Sequence, residues 1–202
     1  MRAPSLLFIA FLNLSACCAP TPLSTTDPNW RELTDGSHLE GWQMAGPGNF
    51  VIEDNSLMAT GGMGLLWYSN ESFEDFELSL EWKVASAANN SGVFVRFPNP
   101  GDDPWVAVNK GYEIQICDTA AEKHNTGSVY SFKAPSAIPT KPVGEWNIMI
   151  IQVVGQEYVV KVNGTEVCRY TGDRSTEGFV GLQNHDDESP VRYRNIRARA
   201  IN

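Results

Sequence analysis

An all-β protein, a sandwich or barrel of short antiparallel strands, is what this chain predicts, and three observations carry the prediction. Apolar and polar side chains alternate along many short runs, turn-forming residues separate those runs at close intervals, and no helical period of useful length follows the N-terminal segment. Successive side chains of a strand point to opposite faces, so each alternating run assigns one face to a core and the other to water or to a site.

Phe50 to Ile52, Ser56 to Ala59 and Leu65 to Tyr68 are short apolar runs bounded by Gly, Asn and Asp, and each reads as a strand. Phe76 to Val84 is the clearest: Phe76, Leu78, Leu80, Trp82 and Val84 face one way, Glu77, Ser79, Glu81 and Lys83 the other. Next, Val93, Val95 and Phe97 alternate with Gly92, Phe94 and Arg96, and Tyr112, Ile114 and Ile116 alternate with Glu113 and Gln115. Trp146 to Val154 is a nearly continuous apolar run, and Tyr158 to Val162 follows it. Asn163-Gly164 then supplies the two positive-φ positions of a type I′ hairpin leading into Glu166 to Tyr170. Gly181, Gln183 and His185 alternate with Val180 and Leu182, and Arg192 with Val191 and Tyr193. Beyond Tyr193 the apolar phase moves by one residue to Ile196, Ala198 and Ala200, which a bulge near Arg194 and Asn195 explains. These runs make about a dozen strands, enough for two packed sheets, with Trp30, Trp42, Trp82 and Trp146 expected in the core. Pro98 to Lys110 and Thr119 to Pro142 read as long loops on either side of the Glu113 strand, and loops of that length are often functional.

The N-terminus carries a positive start, Met1-Arg2, and a short apolar run, Leu6 to Leu14, too short to span a bilayer as a helix. Leu14-Ser15-Ala16-Cys17 resembles the lipobox of bacterial lipoproteins, in which cleavage before the cysteine leaves it lipidated. The expected organisation is a signal segment at 1–16, a Pro-, Ser- and Thr-containing tether at 17–29 and a single domain at 30–202. It implies a lipoprotein of the outer membrane, facing the periplasm or the cell surface. Its membrane contact is then through the lipid alone.

Loss of residues 1–16 removes one arginine and leaves fourteen basic against twenty-four acidic side chains, which excludes nucleic acid and anionic lipid surfaces as partners of the domain. Cys117 and Cys168 remain in the domain, each within an apolar strand-like run suited to a free buried thiol, although an oxidising compartment would allow them to pair. No Cys-x-x-Cys spacing for a metal is present.

A carboxylate and an amide, Glu113 and Gln115, share one strand face. If the Gly92, Gly111, Gly181 and Val191 runs lie in one sheet, Arg96, Glu113, Gln115, Gln183, His185 and a C-terminal arginine converge on one polar concave surface. The alternative is a solvated outer face, common in antiparallel sheets.

Asn90 to Arg96, Gly111 to Asp118, Thr126 to Tyr130 with Ala134-Pro135, Gly144 to Asn147, Asn163-Gly164, Gly178 to His185 and Val191 to Ile196 occur in one order. With the opening Asp35 to Trp42, they resemble the DUF1080 family, the 3-keto-disaccharide hydrolase or 3-keto-glucoside lyase/hydratase domain. The resemblance spans about residues 30 to 201. It implies a concanavalin A-like jelly roll of two antiparallel sheets and action on glycosides whose C3 hydroxyl has been oxidised to a ketone, supplied by an upstream glucoside 3-dehydrogenase. Such a ketone acidifies the C2 hydrogen, so a base removes it, the C1 substituent leaves, and water adds to the resulting 2-hydroxyglycal. The chemistry needs a base of near-neutral pKa and a hydrogen-bonding or cationic partner for the enolate oxygen. From residue chemistry, Glu113 or His185 is expected as the base and Arg96 or Arg194 as the enolate partner. Gln115, Gln183, Phe94 and Tyr130 are expected as sugar contacts. A divalent ion on Glu113 and His185 is a further option.

Two rival readings exist. A retaining glucanase places two carboxylates about 5 to 5.5 Å apart, but Gln115 and Cys117 follow in step with Glu113, and Asp118 joins them only through a bulge at Ile116 or Cys117. A non-catalytic carbohydrate-binding module would stack sugars on Phe94, Trp67, Trp105 and Tyr130, and fold alone does not decide between binding and catalysis.

Cys17 is expected to be the first residue of the mature protein and to carry lipid, because a small residue precedes it at the end of an apolar run of signal length. With Cys rather than Asp at position 18, sorting to the outer membrane is expected. Mass spectrometry of membrane fractions from the native host checks this; an unmodified terminus elsewhere refutes it.

Overall fold

The computed structural model describes residues 29–201; the expected signal segment, Cys17 and the tether ahead of Asn29 lie outside the described residues. In chain order the strands are β1 (Arg31–Thr34), β2 (Trp42–Ala45), β3 (Asn49–Glu53), β4 (Ser56–Thr60), β5 (Gly64–Tyr68), β6 (Phe76–Lys83) and β7 (Ser91–Phe97). A short helix, α1 (Trp105–Lys110), precedes β8 (Tyr112–Ile116), and a 3-10 turn, Glu122–His124, follows it. Then come β9 (Asn147–Val154), β10 (Glu157–Val162), β11 (Thr165–Thr171), β12 (Phe179–Asn184) and β13 (Arg192–Ala200). Eight strands form one antiparallel sheet in the order β11-β10-β9-β6-β13-β4-β3, with β1 also paired to β13. The other five form a second sheet, β2-β5-β12-β7-β8. The fold is the all-β, concanavalin A-like jelly-roll sandwich of two antiparallel sheets.

The inward-pointing residues of both sheets make the main core. Leu78, Leu80 and Trp82 of β6 and Met149, Ile151 and Val153 of β9 meet Val93, Val95, Ile114, Ile116, Val180 and Leu182 of the smaller sheet. Each is removed from water almost completely, and burying such a side chain stabilises by about 1.5 to 3 kcal/mol. The Asn163-Gly164 turn has φ of 48° and 84°, as a type I′ hairpin between β10 and β11 requires. The C-terminal phase shift is a bulge: pairing of β13 with β6 slips between Arg194 and Arg197, and Asn195 has φ 51°.

Four expectations are corrected. The stretch 98–110 is not wholly loop, because its last six residues form α1, too few for a helical period to be visible in the sequence. Trp30 and Trp146 are half-buried rather than core; Trp146 carries Lys83 and Arg194 on its ring at 4.8 and 4.0 Å, and Trp30 lies under Arg197 and Arg199. The last strand containing Arg192 and Arg194 belongs to the larger sheet, not to the sheet that bears Glu113. Finally, the alternation of β7 breaks at Arg96, which has φ 58°. The β12 register skips it, pairing Phe179 with Phe97 and Val180 with Val95. Phe97 therefore joins Phe94 on the outer face, and Arg96 turns away. Cys117 and Cys168 are free and buried.

Arg96 is fully buried and ties the strand ends together. Nη1 donates to the Gly155 carbonyl at 2.6 Å, and Nη2 donates to the Glu74 carbonyl at 2.6 Å and to Asp75 Oδ1 at 3.1 Å. Arg96→Met is expected to lower unfolding free energy by about 3 kcal/mol by stranding these acceptors. Denaturant titration of the variant measures it; a loss below experimental error would contradict the assignment.

Candidate active site

The smaller sheet has a second face, and its composition changes along the strands. At one end Ala45, Leu65, Trp67, Phe94 and Phe97 form an apolar patch that α1 covers by inserting Ala107, with Val108 and Phe179 packed alongside. The guanidinium of Arg174 holds the end of that helix, donating to the carbonyls of Val108 (3.1 Å) and Gly111 while lying 4.8 Å from the Tyr112 ring and 5.1 Å from that of Phe132. Where this cover ends the face turns polar and a cavity of about 230 Å³ opens.

Glu113 and Gln115 of β8 and Gln183 of β12 form the polar floor, with β7 between them. The middle strand contributes Gly92, paired with Gln115. A Cβ there would lie 2.7 Å from Glu113 Cγ, so the missing side chain is what gives the carboxyl room to cross β7 towards Gln183. Asn90, Tyr130 and His185 stand at the polar rim, and Met63, Trp105 and Val108 form an apolar wall.

Glu113 is 7% exposed. Burial pushes its carboxyl up to about 8, against which a hydrogen bond from Gln183 acts. Gln115 Nε2 donates to Asn90 Oδ1 at 2.9 Å. The Oε1 atoms of Gln115 and Gln183 are buried without a protein partner among the described residues. Two unpaired acceptors beside a buried carboxyl suit a ligand that brings hydroxyl donors. His185 Nδ1 meets Asp186 Oδ2 at 2.6 Å, which leaves Nε2 to face a ligand. Partial burial raises the Asp186 carboxyl, but hydrogen bonds from His185, Ser189 and the Glu188 N–H hold it below the ordinary carboxylate value. Tyr130 stacks on His124 at 4.2 Å, and His124 Nε2 lies 3.1 Å from Ser131 Oγ.

The structure thus brings together Glu113, Gln115, Gln183, His185 and Tyr130. It separates three others from them. Arg96 is turned out of the site by its positive φ and held by Asp75. Arg194 projects from the larger sheet, paired with Glu81 at 2.7 Å and stacked on Trp146. Phe94 is on the correct face but sealed, 1% exposed, under α1. Asn90, Met63 and Val108 were not foreseen, and Trp105 was expected only as a stacking surface. Asn90 opens the Asn-Ser-Gly run and was findable on that ground; Met63 and Val108 carry no sequence signal. Among the described residues no carboxylate other than Glu113 lines the cavity. Asp118 instead accepts from Thr126 and Thr140, and β8 pairs with β7 without a slip, so the two-carboxylate glucanase geometry is not built. Among the described residues no three His, Cys, Asp or Glu side chains stand together, so a divalent ion at Glu113 and His185 would rest on the free amide oxygens for its remaining protein ligands.

Residues 29–199 match the 3-keto-alpha-glucoside-1,2-lyase-like domain. The chain belongs to that family. A 3-keto-disaccharide hydrolase of Bacteroides thetaiotaomicron is 26% identical over 227 aligned positions, 84% of this chain and 77% of the relative. Two solved proteins of Parabacteroides distasonis, both provisionally assigned as glycosyl hydrolases, superpose on it. One has TM-score 0.71 and 26% identity, covering 85% of this chain and 99% of its own. The other has TM-score 0.73 and 17% identity, covering 86% and 95%, a likeness of fold.

In this member of the 3-keto-glucoside lyase-like family, Gly92→Ala is expected to displace the Glu113 carboxyl and lower activity at least tenfold, with a smaller effect on stability. Assay and thermal unfolding of the same preparation test it. A fully active Gly92→Ala variant would refute the packing role of Gly92.

Proposed function

We propose that the cavity binds a glycoside oxidised to a ketone at C3 and cleaves it by elimination and hydration, with Glu113 as the base. One observation carries the reading: a single carboxyl, buried on the floor of a sugar-sized cavity, with no arginine or lysine among the described residues lining it and a proton affinity raised towards neutral pH. The family and the Bacteroides relative support the substrate class.

Ionised Glu113 takes the C2 proton. The C–H electrons form the enolate of the C3 ketone; as that ketone re-forms, C1=C2 is made and the C1–O bond breaks, the electrons leaving on the aglycone oxygen. Because burial favours the neutral acid, desolvation supplies driving force for the abstraction. His185, its Nδ1 fixed by Asp186, hydrogen-bonds the enolate oxygen. His185 and Tyr130 are the lining residues besides Glu113 that can protonate the leaving oxygen. Water then adds its hydroxyl to C1 while its proton passes to the group, His185 or Tyr130, that protonated the leaving oxygen, and Glu113 returns its proton to C2. Gln115 Oε1 and Gln183 Oε1 accept from sugar hydroxyls. A glucoside 3-dehydrogenase acts upstream, and the Cys17 lipid holds the enzyme at the outer membrane.

Glu113→Gln keeps the shape and removes the base, so turnover of a 3-keto-disaccharide is expected to fall by about 10² to 10⁴. In the parent protein kcat/KM is expected to rise with pH and level off above about 8, where Glu113 is ionised. Failure of the parent protein to cleave any 3-keto-glycoside, or an unaffected variant, overturns the proposal.

The same substitution is expected to stabilise. The Glu113 proton is released near 4.5 when unfolded and near 8 when folded, so stability falls as pH rises between those values and is level beyond them. The variant lacks this loss, and its advantage should grow across the window to the order of a few kcal/mol. Urea unfolding at pH 5 and pH 8 measures the trend, and an advantage that shrinks with pH contradicts it.

A further inference from the structure

The cavity is small for its proposed substrate. At about 230 Å³ it falls below the roughly 300 to 1,000 Å³ of pockets that enclose drug-sized ligands. One sugar ring fills it, and a glycoside must leave its C1 substituent outside. The polar groups are gathered on the floor, Glu113, Gln115 and Gln183, where the hydroxyl-bearing edge of the oxidised ring is held. The wall from α1 is apolar, and its outermost residue, Trp105, is 55% exposed although the helix around it is anchored. Ala107 sits in the apolar patch, Arg174 bonds the Val108 and Gly111 carbonyls, and Asp103 Oδ1 accepts the Trp105 N–H at 3.0 Å. Trp105 and Val108, three residues apart, share a helix face. An exposed indole on a fixed helix at the mouth of a one-ring cavity is a preformed stacking surface, and the packing of α1, which rests on Ala107, does not require it.

We infer that Trp105 is the platform of a leaving-group subsite: its ring receives the C–H face of the C1 substituent, selecting 3-keto-glycosides whose aglycone is itself a ring, a second sugar or an aryl group. The inference rests on the function proposed above, and Trp105 acts in it as a specificity residue that takes no part in proton transfer. Stacking on a single aromatic ring corresponds to about a tenfold change in kcat/KM.

The test uses the full-length protein and three 3-keto-glucosides that differ only at C1: methyl, 4-nitrophenyl and glucosyl. Comparing parent and variant on each substrate cancels intrinsic differences between leaving groups. Trp105→Ala is expected to lower kcat/KM about tenfold on the glucosyl and nitrophenyl substrates and by less than about twofold on the methyl one, with Trp105→Phe recovering most of the loss. A parent protein active on all three whose Trp105→Ala variant loses equally on all, or on none, overturns the inference and leaves the proposed function standing. A parent protein that cleaves none of them overturns both. Equal thermal stability of parent and variants verifies that the helix is intact, and a variant that unfolds early would assign Trp105 to stability and overturn the subsite.

Discussion

The smaller sheet has two faces to hide, and the site is what its second cover leaves open. One face is closed completely by the larger sheet. The other is closed only where α1 lies on it, and α1 is a helix of six residues, about 9 Å long at 1.5 Å per residue. Beyond its reach the strands carry Glu113, Gln115 and Gln183, whose burial is tolerated because they bond one another and Asn90. A shorter helix would expose Phe94, Phe97 and Leu65 to water.

The bulge at Arg96 sets the same boundary from the other side. Regular alternation would have put Arg96 on the outer face and Phe97 in the main core. The positive φ reverses both, at a cost of about 1 to 3 kcal/mol for a non-glycine residue. It adds an aromatic ring to the patch that anchors α1 and sends the guanidinium to Asp75, Glu74 and Gly155, where it closes the end of the sandwich.

This explains what could be read in the sequence and what could not. The long strands were legible because alternation in Phe76–Lys83 and Tyr112–Ile116 has no competing pattern, and Asn163-Gly164 admits one turn. Glu113, Gln115 and Gln183 were legible for the same reason: parity along a strand decides the face, and His185 follows one residue past the end of β12. Arg96 and Arg194 were misplaced where parity fails or where the partner strand matters. Parity stops at a bulge, and no local signal states that β13 joins the larger sheet rather than the smaller one. The apolar wall is illegible for a third reason. Met63 and Val108 become site residues only because loops and α1 fold over the sheet, which is long-range packing.

Removing the two arginines from the site strengthens the chemistry assigned to Glu113. A guanidinium within about 4 to 6 Å lowers a carboxylate pKa by about 1 to 3 units. Arg96 beside Glu113 would therefore have counteracted the desolvation that lifts it to about 8, giving a stable anion with little appetite for a carbon-bound proton. With Arg96 committed to Asp75 and Arg194 to Glu81, what holds the carboxylate form is the hydrogen bond from Gln183, a neutral amide. As the proposed base, Glu113 is thus strong because the fold withholds positive charge from it. In the proposed mechanism the enolate oxygen has no fixed cation to lean on among the described lining residues and draws on His185, whose imidazole is oriented by Asp186.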